Sequence, residues 1–336
     1  MRLSGVKWIA IFFLAAILSA PAWGATPALP GTLNYVEGQA SIGNEALNSK
    51  SVGSVDLVAG QTLTTGAGKA EVLMTPGVFF RLGDDSAATL VSPSLTNTEI
   101  ALVKGQAMVE VDDIHKDNLL RVQENGAETQ LLKAGIYGFD AAKGDVRVFK
   151  GEALVQDGDR QVKVKAGHEL ALVNENANAS FKTAKFDERE YQQSDLYRFS
   201  NLRSQYLAGA NIDAASLYWP GGPGWFGAGW YWDPGFYGYT WLPGNGIFMS
   251  PFGWGFYSPL WVGYAPYYGY GRYPWRGYGY GPTGQRPYVT GRSAYTPPAH
   301  FSGYRGPANA GVSAPHFGVM GGGFRGGGFS GGGFHR

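Results

Sequence analysis

Between residues 33 and 155 one ten-residue pattern occurs three times, at Leu33 to Ile42, Ile100 to Val109 and Val146 to Val155. In each copy apolar residues stand five and three positions before a glycine, and two and four positions after it. Side chains alternate between the faces of a strand, so odd offsets on one side and even offsets on the other send the two halves to opposite faces. One half would then point into water unless the chain bulges, bends or turns at the glycine. Gly38, Gly105 and Gly151 are therefore expected to be structural corners. The charged residue before each of them (Glu37, Lys104, Lys150) and the Gln or Glu after it suit a solvent-facing bend. A polar ring formed by Glu37, Lys104 and Lys150 is the functional alternative.

From Thr32 to Leu172 the remaining segments are short, rich in Val, Leu and Ala, and punctuated by Gly, Asn and Asp, which predicts an all-β domain. Three irregularly spaced copies leave two architectures open, a small twisted β-sandwich and a short β-solenoid.

The order of small motifs carries a resemblance. Gly38-Gln39-Ala40 is followed by Val58-Ala59-Gly60-Gln61-Thr62-Leu63, then by Val78-Phe79-Phe80-Arg81-Leu82 with Ser86, and then by Gly105-Gln106-Ala107. Ala134 to Asp140, the corner at Gly151 and the closing Ala166 to Leu170 complete the series. This series, about half of the chain that follows residue 24, resembles the FecR domain. FecR proteins include membrane-spanning regulators that contact a sigma factor inside the cell and receive a signal from an outer-membrane transporter outside it. Here an export signal stands at the N-terminus, so the resemblance implies the exported, non-catalytic β module that contacts a protein or the envelope.

That export signal is read from Arg2 and Lys7, the apolar run from Trp8 to Leu18, and small residues at Ala20, Ala22 and Gly24. No later stretch is apolar enough to span a bilayer. With no cysteine in 336 residues, neither disulfides nor a lipid-modified cysteine can staple or anchor the chain. The expected organisation is a signal peptide (1–24), the FecR-like β domain (25–185), a helical connector (186–217) and a low-complexity tail (218–336). In the connector, Leu196, Phe199, Leu202, Arg203, Tyr206 and Leu207 have helical spacing, Asp187 and Glu188 suit a first turn, and Gly209 offers a stop.

From Tyr218 onward Gly, Pro and aromatic residues dominate, and Asp233 is the one acid against seven arginines. Such a composition is expected to remain largely disordered, because few branched aliphatics are present to offset ordering entropy. Its tryptophans, Trp219, Trp225, Trp230, Trp232, Trp241, Trp254, Trp261 and Trp275, are candidate contacts that could stack on sugars, on each other or on arginine. Nucleic-acid binding is not expected, given export and sparse positive charge.

No catalytic, cofactor or metal site is expected. Asp112, Asp113, His115 and Asp117 form the one dense group of potential ligands, but they lack the Gly and terminal Glu of a calcium loop and read as a polar turn. His168 reads as structural. Gly66 to Lys69 fails as a phosphate loop, with Leu63 where the earlier Gly belongs and Ala70 in place of Ser or Thr. The expected function is that of a non-catalytic exported binding or scaffold protein of the cell envelope, periplasmic or outer-envelope associated, with an envelope protein or polysaccharide as partner. The alternatives are a FecR-type signal-relay component that contacts an outer-membrane partner, and a hydrolase acting on envelope polysaccharide.

Overall fold

A computed structural model describes residues 28–172, 181–219, 222 and 224–265. The signal-peptide reading (1–24), Trp275 and the tail beyond 265 lie outside the described residues.

Fifteen strands form one sheet: β1 (Leu33–Ile42), β2 (Glu45–Ala46), β3 (Thr62–Leu73), β4 (Val78–Leu82), β5 (Ala87–Ser94), β6 (Asn97–Lys104), β7 (Gln106–Val111), β8 (Leu119–Glu124), β9 (Ala127–Leu131), β10 (Gly135–Asp140), β11 (Asp145–Lys150), β12 (Glu152–Asp157), β13 (Arg160–Lys165), β14 (His168–Ala171) and β15 (Ala184–Lys185). All pairs are antiparallel except β6 with β8. The joint of the sheet is β3. Its first residues pair with β5 and its last with β4, while β1 runs beside it throughout, with register shifts at Leu33/Tyr35 and Gly38/Ala40. The sheet therefore folds back into two layers. Layer A is β13-β12-β9-β8-β6-β5 with the start of β3, and layer B is the end of β3 with β4-β7-β10-β11-β14-β15.

Alternating inward residues of both layers fill a single core, including Leu63, Leu90, Ile100, Val122, Leu131 and Val155 from A and Val72, Phe80, Val109, Phe139, Val146 and Leu170 from B. Of the two expected architectures this is the sandwich, and the three repeats place its crossings. Gly105 leads from β6 in layer A to β7 in layer B, Gly151 leads from β11 in B to β12 in A, and Gly38 is the bend within β1. Their φ angles are +64° (Gly38), +78° (Gly105) and +95° (Gly151). A Cβ on Gly105 would overlap Ser86, and one on Gly151 would overlap the Tyr137 hydroxyl. The polar ring does not form. Asp140 pairs with Gln106 while Gly135 pairs with Val111 at the far end of β10, and Ile136 there pairs with Lys150. The corners at Gly105 and Gly151 thus sit at opposite ends of layer B.

Layer B is covered on its outer face as well. Two helices follow β15, α1 (Glu188–Gln192) and α2 (Asp195–Leu217), where the sequence predicts one. The break comes at Ser194, whose Oγ accepts the Tyr197 amide at 3.4 Å and caps α2. Gly209 is not a stop. The helix runs through it because Leu207, Ala208, Ala210, Asn211 and Ala214 around it are buried, and it ends just ahead of Pro220. Two hairpins then pack on α2 and the sheet: β16 (Gly229–Asp233) with β17 (Gly238–Leu242), and β18 (Ile247–Met249) with β19 (Gly255–Tyr257). Order in this stretch of the tail comes from burial against layer B. Leu73 and Phe79 from the sheet, Leu207 from α2, and Trp230, Tyr239, Trp241 and Phe256 from the hairpins form one apolar cluster.

Candidate functional site

Strands with apolar residues on both faces leave little room for charge, yet Glu71, Arg81 and Glu110 sit near the ends of β3, β4 and β7, pointing away from the core. Arg81 is fully buried. Its Nε donates to Glu71 Oε2 and its Nη1 to Glu110 Oε2, each at 2.7 Å. Helix α2 completes the set: Arg203 Nη2 donates to Glu71 Oε1 at 2.7 Å and Ser204 Oγ donates to Glu110 Oε1 at 2.5 Å. The Arg203 guanidinium lies 4.3 Å from the Tyr35 ring and 4.9 Å from that of Phe236, between the sheet and the first hairpin.

The hairpins are tied in by amides. Asn34 Nδ2 donates to Glu71 Oε1 (2.9 Å) and to the Tyr239 carbonyl (3.0 Å), and its Oδ1 accepts the Tyr239 amide at 2.7 Å. On α2, Asn211 repeats the arrangement: it donates to the Trp241 and Tyr257 carbonyls and accepts the Tyr257 amide at 2.8 Å. Each asparagine thus serves backbone groups of a hairpin as a neighbouring strand would.

Burial works against the charge of Glu71, but the Arg203 and Arg81 guanidiniums outweigh it and hold the carboxyl down to about 2. Asp112 moves the other way. Burial, reinforced by the Glu110 carboxylate beside it, pushes its carboxyl well above the usual range. Two arginines and two glutamates then balance in a site closed to solvent. Such an arrangement fastens the cap to the sheet and offers no exposed group for chemistry.

A second group of charges joins turns of the two layers. Glu124, at the end of β8, is 2% exposed and neither carboxylate oxygen has a hydrogen-bond partner. Burial, then the nearby Asp145 and Asp140, raise its carboxyl to about 8. Asp145 itself is raised by burial to about 6, with Arg147 acting against the shift. Arg147 is paired with Asp145 and with Glu169 and stacks 4.0 Å from the Tyr191 ring of α1.

The residues singled out from sequence scatter. Asp112 is buried in the first network; Asp113 lies 3.8 Å from an exposed His115, and Asp117 lies on the following turn. Among the described residues no group of three potential ligands could hold a metal. His168 opens β14, its Nδ1 3.0 Å from the Ala166 carbonyl. Lys69 pairs with Asp84 and Asp195 instead of a phosphate. Trp230 and Trp241 are buried and Trp225, Trp232 and Trp254 are partly so, which leaves Trp219 and Trp261 as exposed candidates for stacking. A shallow depression of about 410 Å³ at the β1–β3 bend is lined by Gly38, Gln39, Ala40 and Thr64 among others, with no titratable side chain. The networks around Glu71 and Glu124 escaped sequence reading. The available signal was the placing of Glu71, Arg81 and Glu110 inside apolar runs such as Val-Phe-Phe-Arg-Leu, which points to a second covered face.

Residues 61–154 match the family described as FecR protein. Two crystal structures of a "putative anti-sigma factor" from Parabacteroides distasonis are similar: one at 14% identity and a TM-score of 0.34, covering 39% of this chain and 62% of theirs, the other at 15% identity and 0.33, covering 38% and 61%. The chain thus spans about three fifths of the length of those structures. No curated protein matches.

Proposed function

The chain carries a FecR domain, and from that premise we propose that it acts as a non-catalytic component of a FecR-type signal relay, receiving contact from a partner protein of the cell envelope. The observation that carries this reading is the FecR match over residues 61–154, which takes in the joint strand β3 and most of both layers. The fastened cap supports it. With α2 and the hairpins held by the buried arginines, the described residues form a preformed body that can present surface to a partner without rearranging its core.

Export is part of this proposal: the basic start and apolar run at residues 2–18 have the pattern of an export signal, which would bring the domain within reach of an outer-membrane partner. A second reading, an envelope scaffold, is favoured by the exposed Trp219, Phe226, Trp261 and Tyr264 around the hairpins, which suit adhesive contacts.

The test is photo-crosslinking in the native host, with the reactive residue placed in turn at the exposed positions Val103, Leu119 and Leu260. The relay reading expects one discrete adduct with an outer-membrane protein. Adducts with envelope polymer alone favour the scaffold, and the absence of any envelope adduct refutes both.

A further inference from the structure

The cap leaves apolar side chains in water where α2 ends. Tyr231 on β16 is buried and stacks on Trp225 at 5.4 Å and on Phe226 at 4.8 Å, both rings nearly parallel to its own. Phe226 is the outer member of this group and is 76% exposed. Tyr218, 5.1 Å from the same ring, ties in the helix end, where Leu217 and Trp219 are exposed as well.

Carboxylates adjoin these rings without a cation to pair them. Asp233 lies two residues from Tyr231 and so shares its face of β16, with Oδ1 accepting the Gly235 amide at 2.7 Å. Asp213 stands on α2 between Ile212 and Ala214, which pack with Tyr231, and it is exposed with no ion pair among the described residues. Partial burial, then the Asp233 carboxylate, raise the Asp213 carboxyl to about 6, and no positive group acts against the shift. Exposed rings beside an unneutralised carboxylate suit a guanidinium, which stacks on the one and pairs with the other.

The chain itself supplies such groups next. The described residues end at Ala265, which packs with Val262 on the apolar cluster that holds Tyr231 and Ala214. After it come Tyr267, Tyr268, Tyr270, Arg272, Tyr273, Trp275 and Arg276, rings interleaved with arginine. A stretch of seven residues reaches up to about 23 Å, enough to bring Arg272 back to α2. Tethering through so short a linker also holds the segment at an effective concentration of about millimolar. Charge favours the same occupant. Of the 27 Lys and Arg, two precede residue 25 and seven, all of them Arg, follow Ala265, leaving 18 between; all 26 acids lie in that middle stretch. The segment beyond 265 is thus purely cationic, and the body it leaves has eight more acids than bases.

We propose that the segment 266–276 docks on this surface of its own chain, its arginines at Asp213 and over the rings of Trp219 and Phe226. The inference stands on the exposed rings, the unpaired carboxylate and the charge of the segment, and is independent of the relay assigned to the FecR domain.

The test is limited trypsin digestion of the native full chain, with each cleavage rate compared by mass spectrometry with that of the same bond in a synthetic peptide of residues 266–310. The bonds after Arg292 and Arg305 lie beyond the docked stretch and serve as references in the same chain. Cleavage after Arg272 and Arg276 should be slowed about tenfold relative to those references. D213N and F226A should each bring both rates back toward the references while the unfolding midpoint stays close to that of the parent, since both side chains are exposed. The protection should not change over a roughly fiftyfold range of protein concentration, because the contact lies within one chain. Three results overturn the proposal: equal slowing at all four bonds or at none, protection that survives both variants, or protection that grows with concentration, which would assign the docked segment to a second copy.

Discussion

Replacing Arg203 with Met tests whether the aromatic cap is part of the FecR domain's folding unit. Methionine keeps most of the side-chain volume but removes the guanidinium. Lost with it are a 2.7 Å charge-assisted hydrogen bond to Glu71 Oε1 and the stacking against Tyr35 and Phe236. Removing one partner of a buried pair costs about 3–5 kcal/mol, because the other charge stays buried. Glu71 still keeps Arg81 at 2.7 Å and Asn34 at 2.9 Å, which places the loss at the lower end, about 3 kcal/mol. Tryptophan positions make the assay selective. No tryptophan lies between residues 24 and 218, whereas seven lie between 219 and 261, so fluorescence follows the cap and far-UV circular dichroism is dominated by the sandwich. Urea unfolding of the chain ending at Ala265 should give coincident transitions by both probes, and R203M should shift both together. Two results would refute the reasoning: a loss below about 1 kcal/mol, or a fluorescence transition that moves while the circular dichroism transition stays.

Gly105→Ala should cost more than about 3 kcal/mol or abolish soluble expression, since it combines a φ of +78° with overlap on Ser86; an unfolding midpoint close to that of the parent chain would show that the corner can relax. Glu124 and Asp145 have folded pKa values raised to about 8 and about 6, so the stability they contribute is complete below their unfolded values and lost as pH rises to those points. Denaturation at pH 5, 6.5 and 8 should show stability falling with pH, Glu124 alone giving a slope of about 1.4 kcal/mol per pH unit up to pH 8, and Glu124→Gln should flatten it. Glu71 acts in the opposite sense: its lowered carboxyl contributes stability above pH 4.5 that is lost on acidification toward 2, a loss that Glu71→Gln should remove from the acid limb of the same series. Ending the chain at Leu217 should strip Trp230, Trp241 and Phe256 from Leu73 and Phe79 and give an aggregating product, whereas ending it at Ala265 should leave cooperative unfolding intact in the same urea experiment.

The sequence by itself determined the elements whose cause is local. The parity change at Gly38, Gly105 and Gly151 required a corner wherever strands were to keep one buried face, and the alternation of Val, Leu and Ala supplied that face. What lies on the other side of layer B was decided only by tertiary structure. The aromatic residues of the stretch at 229–257 favour strand, but Gly and Pro cut it into segments of three to five residues, and it is ordered because Leu73, Phe79 and α2 offer a surface that its tryptophans and tyrosines can cover. The helix face that receives it, built from Ser200, Arg203, Ser204, Ala208, Asn211 and Ala215, is too small and polar to show as an apolar stripe. The partners of the cap are charges and amides more than a hundred residues away in sequence, such as Glu71 for Arg203 of the helix and Asn34 for the Tyr239 backbone of the first hairpin. Periodicity reports which face of an element is apolar, but the pairing of a buried charge depends on which strand and which helix are brought together, and only the folded chain sets that.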